Sequence, residues 1–131
     1  QQAVALVHAA LAELAAQAAG HGAGGAERLQ ALDRLIQDHM ANGWSARDYA
    51  GALAISTGHL SRLCREATGL AASAYIDQAI MVEASRLLAF TRMPVSDIGF
   101  RLGYSDPSYF AKRFKRVRGE SPSHYRARFS G

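Results

Sequence analysis

Arg62 and Arg65, and fifty residues later Lys112 and Lys115, repeat a pair of cations three positions apart. A guanidinium fork can bond a guanine edge in two places, whereas an ammonium meets a phosphate as a point charge. Small residues surround both pairs. If each segment is helical, Gly58, Ser61, Arg62 and Arg65 share one side, and Ser108, Ala111, Lys112 and Lys115 share the matching side of the other. That arrangement could line a nucleic-acid groove, with Gly58, Ser61, Arg62, Ser108, Ala111 and Lys112 as the base-reading and groove-lining candidates. Arg47, Arg65, Arg113, Lys115 and Arg116 suit phosphates, where they would raise affinity without reading sequence. The plain alternative is a set of solvated helix charges.

Other chemistries find little purchase. The single cysteine, Cys64, cannot form an internal disulfide and falls at the repeat position of Phe114, which makes it a core residue rather than a nucleophile. A reducing compartment, the cytoplasm by default, follows from that cysteine usage. The histidines are scattered without metal-ligand spacing, and no Ser/His/Asp or paired-carboxylate arrangement can be assembled. Gly20-His21-Gly22-Ala23-Gly24-Gly25 lacks the preceding strand and the following Gly-Lys-Ser/Thr of a phosphate-cradling loop. The expectation is a non-enzyme without cofactor or metal.

Charge is distributed unevenly along the 131 residues. Residues 1–44 hold two basic and four acidic side chains, a net of −2, and residues 45–131 hold thirteen and seven, a net of +6. A polyanion partner for the second part is implied, or else a basic face meeting an acidic protein. The apolar start raises the question of a leader or membrane segment, but Gln1-Gln2 give no basic start and His8, Glu13 and Gln17 interrupt the run. A chain opening without Met, in what reads as the middle of a helix, suggests a fragment of a longer protein.

Periodicity predicts an all-α chain. Val4, Val7, Leu11, Leu14 and Ala18 recur at coiled-coil spacing, giving a helix over about 2–19 that could form a dimer seam or pack on its own domain. The glycine-rich stretch 20–26 reads as a linker, and 27–131 as the main domain. Helices are expected over Glu27–Met40, from Ser45 to about Ala54, and over Thr57–Thr68 and Ser73–Phe90. Three more follow over Ser96–Leu102, Pro107–Val117 and Pro122–Phe129. Ser45 with Asp48 suits an N-cap, with Trp44 packing behind it.

An internal repeat organises these elements. At an offset of 50, Leu60 matches Phe110, Arg62 Lys112, Arg65 Lys115, Gly69 Gly119, Ser73 Ser123 and Tyr75 Tyr125. At an offset of 49, Tyr49-Ala50 and Leu53 match Ile98-Gly99 and Leu102, so the second copy carries one extra residue in its turn. Each copy is helix, turn, helix. Ala50 and Gly99 would let the paired helices cross closely, while Leu53, Leu60, Leu102 and Phe110 fill the joint. The helix between the copies, about 27 Å long at roughly 1.5 Å per residue, could hold two helices about one DNA turn apart, near 34 Å.

The run from Ile98 to Lys115, closing with Gly119-Glu120-Ser121-Pro122-Ser123-His124-Tyr125-Arg126, resembles the signature of the AraC/XylS regulators. The resemblance extends back through His59-Leu60-Ser61-Arg62-Leu63 and covers roughly residues 27–129. It departs at Gly99, where the family usually has Ala, and at Cys64, where a bulky apolar residue is common. The resemblance implies two helix-turn-helix units on a linker helix and sequence-specific binding to double-stranded DNA. It also implies transcription activation through RNA polymerase, and a small-molecule effector acting only through an upstream domain. Positions matching Ser61, Arg62, Ser108 and Lys112 would lie nearest the bases. A helical protein-interaction module is the alternative; an alkyl-transfer repair enzyme would need a reactive cysteine where this chain has none.

Overall fold

The computed structural model describes residues 22–129. These fold as α1 (Gly22–His39), a 3-10 turn (Met40–Asn42), α2 (Ala46–Ala52), α3 (Thr57–Thr68), α4 (Ala72–Phe90), α5 (Val95–Arg101), α6 (Pro107–Arg118) and α7 (Pro122–Ala127), with no strand among the described residues. The seam residues Val4, Val7, Leu11, Leu14 and Ala18 lie outside this range.

The first helix corrects one expectation. Gly22, Gly24 and Gly25, read from sequence as part of a linker, belong to α1, which therefore starts five positions before Glu27. Leu32 and Ile36 of α1 and Met40 just beyond it are buried, and Leu29 packs against them. Once that packing anchors the helix, each further residue adds a hydrogen bond without a new nucleation step, which offsets the roughly 1 kcal/mol that each glycine costs. Gly25 also lies against α3, where a Cβ would stand 3.4 Å from Leu63 Cδ1.

Between α1 and α2 the chain turns sharply. Gly43, at φ +67°, ends the 3-10 turn in a left-handed conformation that a side chain would strain. Ser45 and Asp48 then form the reciprocal cap expected of them: the Ser45 N–H donates to Asp48 Oδ2 at 2.9 Å, and the Asp48 N–H donates to Ser45 Oγ at 3.4 Å. Trp44 lies flat on His39 at 3.8 Å and meets the buried Tyr49 edge-on at 5.1 Å, closing the entry to α2.

The axis of the molecule is α4. Ala72, Ile76, Ile80, Met81, Ala84, Ser85, Leu87 and Leu88 are all buried along it, more than one face can account for, because α3 packs on it from one unit and α5, α6 and α7 from the other. Ser85, the buried polar residue among them, donates its hydroxyl to Met81 O at 2.8 Å. The far end of the helix is held from α7. Arg126 donates from Nε to Leu88 O at 3.1 Å and from Nη2 to Thr91 O at 3.3 Å, meeting carbonyls that a helix end leaves without partners.

A candidate nucleic-acid interface

The two copies of the repeat fold alike. Starts and ends of α3 and α6 are offset by 50, as are the starts of α4 and α7; α2 and α5 are offset by 49 at both ends. The extra residue of the second copy sits between its helices: residues 53–56 join α2 to α3, and 102–106 join α5 to α6. The first turn passes through Ala54 at φ +58°, and the second through Gly103 at φ +92°.

Caps set both ends of the second helix in each unit. Ser56 Oγ accepts from the His59 N–H at 3.0 Å, and Asp106 Oδ1 accepts from the Ser108 N–H at 2.9 Å. Gly69 and Gly119, at φ +80° and +85°, end the helices with N–H bonds of 2.8 Å to Arg65 O and Lys115 O. The inward faces are closed by Leu60, Leu63 and Cys64 in one unit and by Phe110 and Phe114 in the other. Ala50 and Gly99 are buried where each pair of helices crosses. A Cβ on Gly99 would meet Phe110 at 3.1 Å, so the absence of a side chain permits that close crossing.

With the inward faces fixed, the outward ones follow. Gly58, Arg62, Ser108 and Lys112 are exposed, and Ser61 and Ala111 are half-buried beside them. A Cβ on Gly58 would lie 3.8 Å from Arg62 Nη1, which places the guanidinium over the small residue one turn earlier. Arg47 on α2, Arg65 on α3, and Lys115 and Arg116 on α6 are also exposed, and among the described residues none of these cations forms an ion pair.

Arg113, read from its charge as a phosphate contact, has an acidic partner within the fold. Its Nη2 is ion-paired to Asp77 Oδ2 of α4, with the two side chains only 24% and 28% exposed. The guanidinium therefore braces α6 against the linker helix. Standing three positions after the buried Phe110 and next to the buried Phe114, Arg113 flanks the inward face of α6, which charge alone does not reveal.

Arg28 is a cation that sequence reasoning missed. The fold carries it from α1 to α3, where Nη1 lies 3.4 Å from His59 Nε2, beside the first turn of that helix. No local pattern could have marked it, because the contact spans 31 positions and the surrounding segment is acidic overall.

Cys64 and three tyrosines pack into the fold. Cys64 is fully buried, and desolvation, helped by the charge of Asp33, pushes its thiol above the ordinary range. Tyr75 donates its hydroxyl to Asp33 Oδ1; burial and that bond hold it protonated. Burial, with Asp77 nearby, moves Tyr104 up to about 12. Tyr125, the repeat partner of Tyr75, packs between Phe114 at 5.7 Å and Phe129 at 5.1 Å. Among the described residues no group of three His, Cys, Asp or Glu side chains could hold a metal ion, and no helix is long and apolar enough to cross a membrane.

Two exposed helices of matched construction, each crossing a shorter helix and both mounted on one central rod, define a twin helix-turn-helix domain. A family model described as a helix-turn-helix domain matches residues 49–128. The arabinose operon regulatory protein of Escherichia coli K12 is 32% identical over 101 residues, covering 76% of this chain and 35% of the relative. The transcriptional activator RhaS of Enterobacter sp. strain 638 is 31% identical over 99 residues, covering 76% and 36%. The chain thus spans about a third of the length of the curated relatives it matches.

Solved structures agree. The C-terminal domain of AraT, a response regulator from Geobacillus stearothermophilus, superimposes with a TM-score of 0.71 at 28% identity, over 77% of this chain and 84% of that one. The DNA-binding domain of AdpA, in complex with a target DNA, gives 0.69 at 25%, over 77% and 91%. An AraC-type regulator from Chromobacterium violaceum gives 0.73 at 24%, covering 83% and 97%, and supports the fold. The chain belongs to the AraC-type helix-turn-helix transcription regulators.

Proposed function

We propose that α1 to α7 read two successive major grooves on one side of a DNA duplex, α3 entering one groove and α6 the next. The observation that carries this reading is the equivalence of the two exposed helices, each capped at both ends and mounted on α4. At 19 residues α4 is about 28 Å long, close to the roughly 34 Å of one duplex turn. Arg62 reads a guanine edge, and Ser61, Ser108 and Lys112 contact neighbouring bases. Gly58 and Ala111 leave room for the approach. Arg47, Arg65, Lys115 and Arg116 bind phosphates, and Arg28 adds a further backbone contact beside α3.

In this reading the chain is the DNA-binding part of a cytoplasmic activator and catalyses nothing. RhaS, an activator, supports the sign of the effect. RNA polymerase is the protein partner, and exposed Val82, Phe90 and Phe100 offer apolar surface for a protein contact. An effector acts through a further domain, and residues 2–19 contribute a homodimer seam.

Selection of bound sites from a random duplex pool tests the core of the proposal. A bipartite site with boxes about one turn, or 10 base pairs, apart is expected. Recovery of no preferred sequence would refute it. For the seam, Leu11→Glu with Leu14→Glu should halve the mass in solution, and a mass unaffected by the change removes the dimer.

A further inference from the structure

Away from α4, the two units meet backbone to backbone at Gly43 and Gly103. A Cβ on Gly103 would stand 2.6 Å from Gly43 N, 2.9 Å from Gly43 Cα and 2.9 Å from Met40 O. In the other direction, a Cβ on Gly43 would stand 3.0 Å from Gly103 O. The opposing atoms are all main chain, so no rotamer change can make room. Gly43 lies two residues before the cap of α2, and Gly103 three residues before the cap of α6. The contact therefore joins the entry to the first helix of one unit to the turn between the two helices of the other.

On its other side α6 is tied to α4 by the pair of Arg113 and Asp77. Tyr104, next to Gly103, packs on Phe110 at 5.4 Å, within the core of the second unit. With each unit moving as a body, sliding of α6 relative to α3 must part the two glycines, and sliding of α6 along α4 must break the ion pair.

We infer that the contact of Gly43 with Gly103 sets the phase between the two recognition helices, so that the protein accepts one spacing of its two DNA boxes. The inference rests on the two-groove reading. Adding one base pair moves the second box by about 3.4 Å along the duplex and about 35° around it. Two helices locked together cannot follow both displacements, whereas loosened ones can follow part of them.

The molecule contains its own control. Gly119 has nearly the same left-handed backbone, φ +85° against +92°, yet nothing lies within 4 Å of a Cβ placed there. Gly103→Ala and Gly119→Ala thus share the backbone strain, and only the first pushes the units apart. The test measures binding of the full chain to its selected site and to versions lengthened or shortened by one base pair. The wild type and Gly119→Ala should prefer the selected spacing by about tenfold or more, the cost of one poor base contact. Gly103→Ala should flatten that preference to under about threefold by weakening the selected spacing most. Gly43→Ala, whose Cβ needs a smaller shift, should move in the same direction and serves if Gly103→Ala fails to fold.

Either variant, folded by circular dichroism, with the wild-type spacing profile overturns the inference. So does a wild type that selects a bipartite site but binds all three spacings equally. Failure of the wild type to select any site would instead sink the two-groove reading itself.

Discussion

Asp77 of α4 and Arg113 of α6 form an ion pair between the linker helix and the second recognition helix, 36 positions apart in sequence. Both side chains are mostly withdrawn from water, so the pair is screened less than the helix-surface pair of Glu83 with Arg86, whose arginine side chain is 55% exposed. The cation in the middle of the recognition helix thus orients that helix.

Removing either partner should therefore cost stability. Arg113→Ala and Asp77→Ala should each lower the free energy of unfolding by about 1–2 kcal/mol, and the double variant should cost less than their sum. Urea titrations measure all three. For Arg113→Ala, the slope of log affinity against log salt should match the wild type; a slope shallower by roughly one would return Arg113 to the phosphate set.

Arg62 and Lys115 should separate reading from holding. Arg62→Ala should cost about 1–3 kcal/mol at particular base pairs and relax preference there. Lys115→Ala should weaken every sequence alike and reduce the salt slope by about one. Binding to a panel of single-base variants at several salt concentrations distinguishes them, and identical patterns would contradict the assignment.

The buried aromatic pair of the second unit should dominate its stability. Phe110→Ala should cost about 3–5 kcal/mol, since its fully buried ring also fills the space left by Gly99. Ser45→Ala, which removes a cap at an exposed helix start, should cost about 1 kcal/mol. Denaturant unfolding ranks the two, and a reversed order would contradict this packing.

The tyrosines should make the fold sensitive to alkali. Tyr104 is raised from 10.0 to about 12, so the folded state keeps its proton where the unfolded chain has begun to lose it. A group with a raised pKa contributes stability fully below the unfolded value and loses it as pH climbs toward the folded one. Unfolding midpoints should fall between pH 10 and 12, and Tyr104→Phe should flatten that fall. The thiol of Cys64 should resist a disulfide reagent until denaturant is added; prompt labelling of the native chain would show an accessible cysteine.

The repeat made most of the architecture legible before any coordinates. Leu60 with Phe110 and Gly69 with Gly119 mark one core position and one helix end, and both are read by local pattern. Arg113 was not legible, because charge is a property of the residue and a partner is a property of the fold. Arg28 was hidden for the same reason. The start of α1 was misplaced because glycine propensity speaks against a helix that tertiary packing sustains. The contact of Gly43 with Gly103 joins positions that belong to different copies of the repeat, so no self-alignment could bring them together.

The grip of Arg126 on the end of α4 also bears on truncation. Leu32, Ile36 and Leu60 find their core partners among residues that precede the end of α4 as well as after it, in one continuous cluster. The carbonyls of Leu88 and Thr91 accept from Arg126. A chain ending before residue 126 would therefore leave the last turn of α4 without this tie and turn those carbonyls to water.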